Sequence, residues 1–350
     1  MIRFGVLGAA RIAPAAIVRP SREVEGAELT AIAARDRARA EAFARTHRIP
    51  KVHAGYEELL ADPEIDAVYI PLPNGLHARW TLKAIEAGKH VLCEKPMTSN
   101  RKEAEEVAAA AEAARRRSGL LVMEAFHYRY HPLAARIAEI ARGEKTAPGR
   151  PEGTPGSTGE LGPLREIAID TCVPLPLFAD IRYQYELAGG ATMDIGSYAV
   201  NLARFVAGET PRILSAKATT LHRDPRIDRA MTAEIAFPSG AGGHLRISLW
   251  SRRLIAIRAR IIGEGGRLTV TNFIAPHLFH LLAVAANGRI HRERLPGKAT
   301  YTYQLEAFVD AIGKGGPVPT SAEDAVVNMG VIDGIYRAAG LPLRGEKDSG

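Results

Sequence analysis

Apolar positions follow two different rhythms along this chain. Up to about residue 125, short apolar runs alternate with stretches whose apolar residues recur at helical spacing. The runs at 2–7, 29–33, 67–70, 91–93 and 120–123 predict strands. Between them, 37–46, 74–87 and the Ala/Glu-rich 100–117 predict helices. Gly88 and Gly119 close the last two, and Asn100 with Glu103 has the spacing of a capping box. Strands alternating with helices build βαβ units and a parallel sheet.

Beyond residue 125 the period shortens to two. Segments 164–169, 213–220, 232–237, 243–249, 255–262 and 266–271 predict strands joined by short turns, hence a largely antiparallel sheet. Helices are expected at 194–208, 303–312 and 322–339. Residues 143–163 are crowded with Gly and Pro and read as a flexible surface loop. The expected architecture is an α/β Rossmann domain with a parallel sheet over 1–124. An α+β domain with a large, mostly antiparallel open sheet follows over 125–340, its closing helix at 322–339 packing back on the first domain. A length of 350 residues suits two domains of about 150 each.

Composition narrows the partners. A hydrophobic fraction of 46% is ample for packed cores. The formal net charge of +7, carried by 36 Arg and 10 Lys, raises the question of nucleic acid. The basic residues are spread over both halves, and Arg115-Arg116-Arg117 is the only run of three. A nucleic-acid stripe would be concentrated, so a solvated basic surface and no nucleic-acid partner are expected. No apolar stretch reaches about 18 residues, so no membrane span is expected. Two cysteines, Cys93 and Cys172, make no disulfide framework and suggest a cytoplasmic home.

The first strand runs into Gly5-Val6-Leu7-Gly8-Ala9-Ala10-Arg11-Ile12-Ala13. Gly8, Ala10 and Ala13 fill the three small positions of a dinucleotide fingerprint, G-x-G-x-x-G/A, lacking its middle glycine. The turn containing Arg11 and Ile12 would then aim its amides at a pyrophosphate. A plain strand-to-helix turn is the competing reading. The second strand ends in Ala34-Arg35-Asp36-Arg37, where an NAD site would place an acid at the tip. Arg35 and Arg37 suit a 2′-phosphate, which favours NADP(H) over NAD(H). Asp36 is the dissenting residue, able to take the ribose instead. The third strand leads into Pro71-Leu72-Pro73-Asn74-Gly75-Leu76-His77, and the fourth into Glu94-Lys95-Pro96. Both lie where open α/β sheets bind ligands.

With these blocks and Gly189-Gly190-Ala191-Thr192-Met193-Asp194-Ile195-Gly196-Ser197-Tyr198, the chain resembles the glucose–fructose oxidoreductase/inositol dehydrogenase (Gfo/Idh/MocA) family. Glu124-Ala125-Phe126-His127-Tyr128-Arg129-Tyr130-His131-Pro132 resembles its dihydrodiol and xylose dehydrogenase subgroup. The resemblance implies that Lys95 lies beside nicotinamide and substrate, with Asp194 and Tyr198 as its partners. It places Pro71, Asn74, His77, Glu94 and Pro96 around the cofactor, with capping as the competing role for Asn74. Arg129 and Tyr130 would line the domain junction, with core packing as the competing role for Tyr130. His127, where relatives often carry an apolar residue, is a candidate substrate contact.

Asp194 and Tyr198 stand four apart, on one helical face. Lys95 beside the phenol is expected to lower its pKa and so ease proton exchange. The expected activity is hydride transfer between NADP(H) and a CH–OH or C=O group of a sugar, polyol or cyclic diol. The alternative is a non-catalytic NAD(P)-binding sensor of the same fold. Neither the pair His127 and His131 nor the pair His277 and His280 has a completing ligand nearby, so no metal is expected. Cys93, in an apolar run, reads as inert. A homodimer through the second sheet is expected.

Overall fold

A computed structural model describes residues 1–143, 159–286 and 288–346. Six short strands form the first sheet: β1 (Ile2–Leu7), β2 (Ala27–Ala33), β3 (Lys51–His53), β4 (Ala67–Ile70), β5 (His90–Cys93) and β6 (Val122–Glu124). They pair in the order β3-β2-β1-β4-β5-β6, every pair parallel. Parallel strands are covered on both faces, and β4 is accordingly buried along its whole length. The helices of this half are α1 (Pro20–Glu23), α2 (Arg37–His47), α3 (Tyr56–Ala61), α4 (His77–Glu86) and α5 (Arg101–Ser118). Strand order reverses between β1 and β4, which opens a crevice at their carboxyl ends.

Local chemistry explains the agreements and the departures. Asn100 caps α5 by accepting the Glu103 N–H at 2.9 Å. The Glu103 carboxylate takes the Ser99 N–H at 2.8 Å, one residue earlier than a capping box requires. The helix expected at 74–87 divides into a 3-10 turn at Asn74–Leu76 and α4. β3 and α3 carry no apolar run long enough to announce themselves.

A 3-10 turn at His127–Tyr130 and α6 (Pro132–Arg142) lead into the second sheet. Of the expected Gly/Pro loop, residues 144–158 lie outside the described residues. The second sheet holds β7 (Leu164–Cys172), β8 (Arg212–Thr220), β9 (Asp228–Ala236), β10 (Gly242–Ser248), β11 (Ala256–Gly263), β12 (Gly266–Thr271), β13 (Leu281–Ala286) and β14 (Arg289–Glu293). Their order is β14-β13-β12-β11-β7-β10-β9-β8. All pairs are antiparallel except β7 with β10.

Alternation sets its two faces. Ile167, Ile169, Leu245, Ile247, Ala259 and Ile261 point into the core, while Glu166, Asp170, Arg246 and Arg260 pair with one another on the other face. The inner face meets α7 (Ser197–Ala207) and α9 (Ala322–Ala338), while α8 (Thr300–Lys314) packs on the 3-10 turn at His127–Tyr130 and on α1. Helix α9 also lies along α5, and Ser321, just before it, bridges to Met123 within β6.

Candidate active site

Gly8 follows β1 with φ +116, a conformation that suits glycine. A Cβ there would stand 3.1 Å from Leu72 Cδ2. The chain then makes an irregular helical turn at Pro14–Val18, anchored by fully buried Ala13 and Ala16. Arg11 and Ile12 stay exposed at the crevice, and Ala10 is half-buried. A bare backbone closing against Leu72, with small residues beneath it, fits a pyrophosphate. At the tip of β2, Ala34 is buried and Arg35 exposed, with no ion pair among the described residues. Asp36 is occupied as the cap of α2, accepting the Arg39 N–H at 3.2 Å. Arg37 is tied to Glu41 at 3.0 Å. Of the two expected phosphate-binding arginines, Arg35 is the uncommitted one.

The turn after β5 is held on every side. Glu94 N–H donates to the Ile70 carbonyl at 3.1 Å, and Tyr69 donates to Glu94 Oε1 at 2.8 Å. Met97 N–H donates to the buried Glu124 carboxyl at 2.8 Å. The two ring nitrogens of His77 lie 2.7 Å from the carbonyl oxygens of Pro96 and Leu72. His77 thus sits between the two crevice loops with neither nitrogen left for a cofactor, and when neutral its single N–H donates to one of the two carbonyls. Burial holds it neutral, with its pKa lowered to about 4. Asn74 does not cap; its amide donates to the Ala188 carbonyl at 3.3 Å, across the cleft, while Pro71 is buried behind it.

So anchored, Lys95 points at the second half of the molecule. Its ammonium donates to the Asp194 carbonyl at 2.7 Å and to Asp194 Oδ1 at 3.3 Å. It also stands 4.7 Å from the centre of the Tyr198 ring. Burial opposes ionisation of Asp194, but Lys95 and then Arg182 outweigh it and hold the carboxyl below its ordinary value. Asp194 does not lie in the helix proper. It sits in a wide turn at Thr192–Gly196, and α7 begins at Ser197.

The expected depression of the Tyr198 pKa is overturned. Burial, then Tyr301, Glu94 and Asp194, push the phenol well above its ordinary range. Lys95 spends its charge on Asp194, and its ammonium faces the ring rather than the hydroxyl. The hydroxyl lies 3.0 Å from His127 Nε2. His127 is therefore a partner of Tyr198. Arg129 and Tyr130 lie inside the fold. The Arg129 guanidinium covers the Phe205 ring at 4.0 Å, and the Tyr130 hydroxyl meets Thr320 Oγ1 at 2.7 Å.

Sequence reasoning missed Arg182, whose Nε donates to Asp194 Oδ2 at 2.9 Å. Arg182 also bonds Asp180, which approaches Arg11 at 3.6 Å. Alternating charges thus run from the fingerprint turn to Lys95. Tyr301, tilted against His127 at 4.1 Å between ring centres, was missed as well. Arg182 lies in a three-residue 3-10 turn too short to show periodicity, and Tyr301 looks like any helix tyrosine, so neither carried a signal.

Residues 2–122 match the GFO/IDH/MocA oxidoreductase family, described as an NAD-binding Rossmann fold. Residues 157–269 match the GFO/IDH/MocA C-terminal domain. The chain is 37% identical over 339 residues to a D-xylose 1-dehydrogenase (NADP(+)) of Haloferax volcanii, covering 96% of this chain and 97% of that protein. A 3-ketoreductase from Actinomadura kijaniata, solved with NADP and TDP-benzene, superposes with a TM-score of 0.83 at 28% identity, over 96% of this chain and 97% of that one. An aldose-aldose oxidoreductase from Caulobacter crescentus superposes with a TM-score of 0.84 at 26% identity, over 97% of each chain.

Proposed function

This chain belongs to the Gfo/Idh/MocA family of NAD(P)-dependent oxidoreductases, and from that premise we propose that it works on a CH–OH or C=O group of a sugar, polyol or cyclic diol, with NADP(H) preferred over NAD(H). The observation that carries the reading is the meeting of Lys95 and Asp194, 99 positions apart, over the Tyr198 ring. A bound nicotinamide supplies or takes the hydride. The residues around Gly8, Ala10, Arg11 and Ile12 would hold the pyrophosphate, and Arg35 the 2′-phosphate.

Lys95, locked by Asp194, presents a fixed positive charge where a substrate oxygen gains negative charge during reduction. Tyr198, which keeps its proton, donates it to that oxygen in reduction and takes it back in oxidation. Asp194 keeps Lys95 in place and is a candidate partner for a substrate hydroxyl. A domain boundary near residue 124 assigns Lys95 to one domain and Tyr198 to the other, so both reach the substrate from the same junction. A homodimer is part of the proposal, supported by exposed Ile255, Leu278, Phe279 and Ile290 around the second sheet. So is a cytoplasmic home, suited to two buried free cysteines.

The test is a panel of aldoses, inositols and diols assayed with NADP⁺ and NAD⁺ by formation of reduced cofactor. Turnover on at least one sugar or diol is expected, faster with NADP⁺. Lys95→Met should lower kcat by about a hundredfold or more while cofactor titration is unchanged. Arg35→Ala should raise KM for NADP(H) by about ten- to a hundredfold and barely move KM for NAD(H). Cofactor binding with no turnover on any substrate would make the chain a binding protein. An equal response to Arg35→Ala with both cofactors would remove the phosphate clamp.

A further inference from the structure

The Tyr198 hydroxyl has one partner among the described residues, His127 Nε2 at 3.0 Å. His127 is buried, and its other nitrogen, Nδ1, has no hydrogen-bond partner among the described residues. Its ring is clamped between Tyr301, 4.1 Å away, and Tyr198, 5.8 Å away. The surroundings exclude a third proton state. Lys95 and His277 both disfavour a charged imidazole, and burial does so more strongly, so the ring is neutral with a pKa of about 3.

A neutral imidazole carries one N–H, and the two choices differ in cost. With the proton on Nδ1, a buried donor has nothing to bond. With the proton on Nε2, the orphan is an acceptor, which folded proteins tolerate more readily. In the second arrangement the phenol oxygen accepts from His127, and the phenol's own proton is left free for another oxygen.

We propose that His127 is the positioning residue of the proton-transfer step: it donates from Nε2 to the Tyr198 oxygen and so directs the Tyr198 proton at the substrate. This rests on the oxidoreductase reading above. The groups facing Tyr198 are Lys95 and Glu94 from the turn after β5, Asp194 from its own turn, Tyr128 and His127 from the 3-10 turn, and Tyr301 from α8. Glu94, Asp194 and Tyr301 oppose loss of the phenol proton. The His127 N–H stabilises the phenolate against them. The proton leaves Tyr198 for the substrate oxygen in reduction and returns in oxidation; His127 keeps its own proton throughout.

The variants are His127→Phe, which keeps a ring against Tyr301, and His127→Gln, which restores an amide donor. In the oxidative direction kcat rises with pH as Tyr198 loses its proton. His127→Phe should lower kcat by about tenfold or more, leave substrate KM within about twofold, and move that limb up by about one pH unit. His127→Gln should bring the limb back toward wild type. A limb that stays in place or moves down in His127→Phe overturns the proposal. The second readout needs no turnover: a long-range proton–nitrogen spectrum of the histidine-labelled wild-type protein. It should show His127 protonated on Nε2, and protonation on Nδ1 overturns the assignment. Absence of turnover in the wild type would count against the oxidoreductase reading alone, because the spectrum is read on the resting protein.

Discussion

Glu124 shows how much one side chain can depend on burial. Its Oε1 accepts the Met97 N–H at 2.8 Å, its Oε2 has no partner among the described residues, and burial raises its pKa from 4.5 to about 8. The fold therefore favours the protonated acid. That contribution is fully present below pH 4.5 and is lost as pH rises through about 8. Glu124→Gln keeps the acceptor for Met97 and adds a permanent donor. Its melting temperature should match wild type at acid pH and exceed it above pH 8, as followed by circular dichroism across the range. A difference that is constant with pH would show that Glu124 is already ionised in the fold. Residue identity marked Lys95, Asp194 and Tyr198 together, because unusual types in fixed order survive as a pattern. It did not mark His127 as the partner of Tyr198, since a hydrogen bond between positions 71 apart leaves no local trace.

Elements were legible where periodicity is long and repeated. β1, β4 and β12 fall at the expected boundaries, because apolar runs bounded by glycine or proline permit little else. Short or exposed elements escaped: β3 has three residues, and β14 is almost wholly exposed. The helix expected at 194–208 is the most instructive departure. Its first turn is widened at Thr192–Gly196, and there Gly196 lies so close to β10 that a Cβ would stand 2.8 Å from Ile247 Cδ1. The spacing of Asp194 and Tyr198 predicts one regular helical face. The wide turn instead lets the Asp194 backbone carbonyl reach Lys95, a contact that regular i,i+4 geometry does not foresee.

The C-terminal tail ties the two halves of the molecule together. Arg344 is fully buried and donates to the Gly189 carbonyl at 2.6 Å and to Asp228 Oδ1 at 3.0 Å. Asp228 in turn accepts from Thr192 N–H at 2.8 Å, at the start of the turn that carries Asp194. The Arg344 carbonyl accepts from Asn100, the cap of α5. One residue therefore touches the loop before Asp194 and the segment that follows Lys95. Arg344→Leu strands the Asp228 charge in the core and should cost about 3–5 kcal/mol in urea unfolding. Adding Asp228→Asn should recover part of that loss. No recovery in the double variant would show that the tail acts through packing rather than charge.

By itself the sequence determined the family, the order of the longer periodic elements and which residue types gather at the strand ends. These are local properties: apolar period, glycine and proline punctuation, and motifs a few residues long. Only the tertiary structure decided what each polar atom bonds. It set His77 between two crevice carbonyls, made Asp36 a cap, drew Arg129 into the interior, chose core packing for Tyr130, and made His127 the partner of Tyr198. It also raised the Tyr198 pKa where proximity to Lys95 had suggested a fall. The physical reason is the same in each case. Desolvation and hydrogen-bond choice depend on which distant segments close over a group, and chain spacing does not encode that distance.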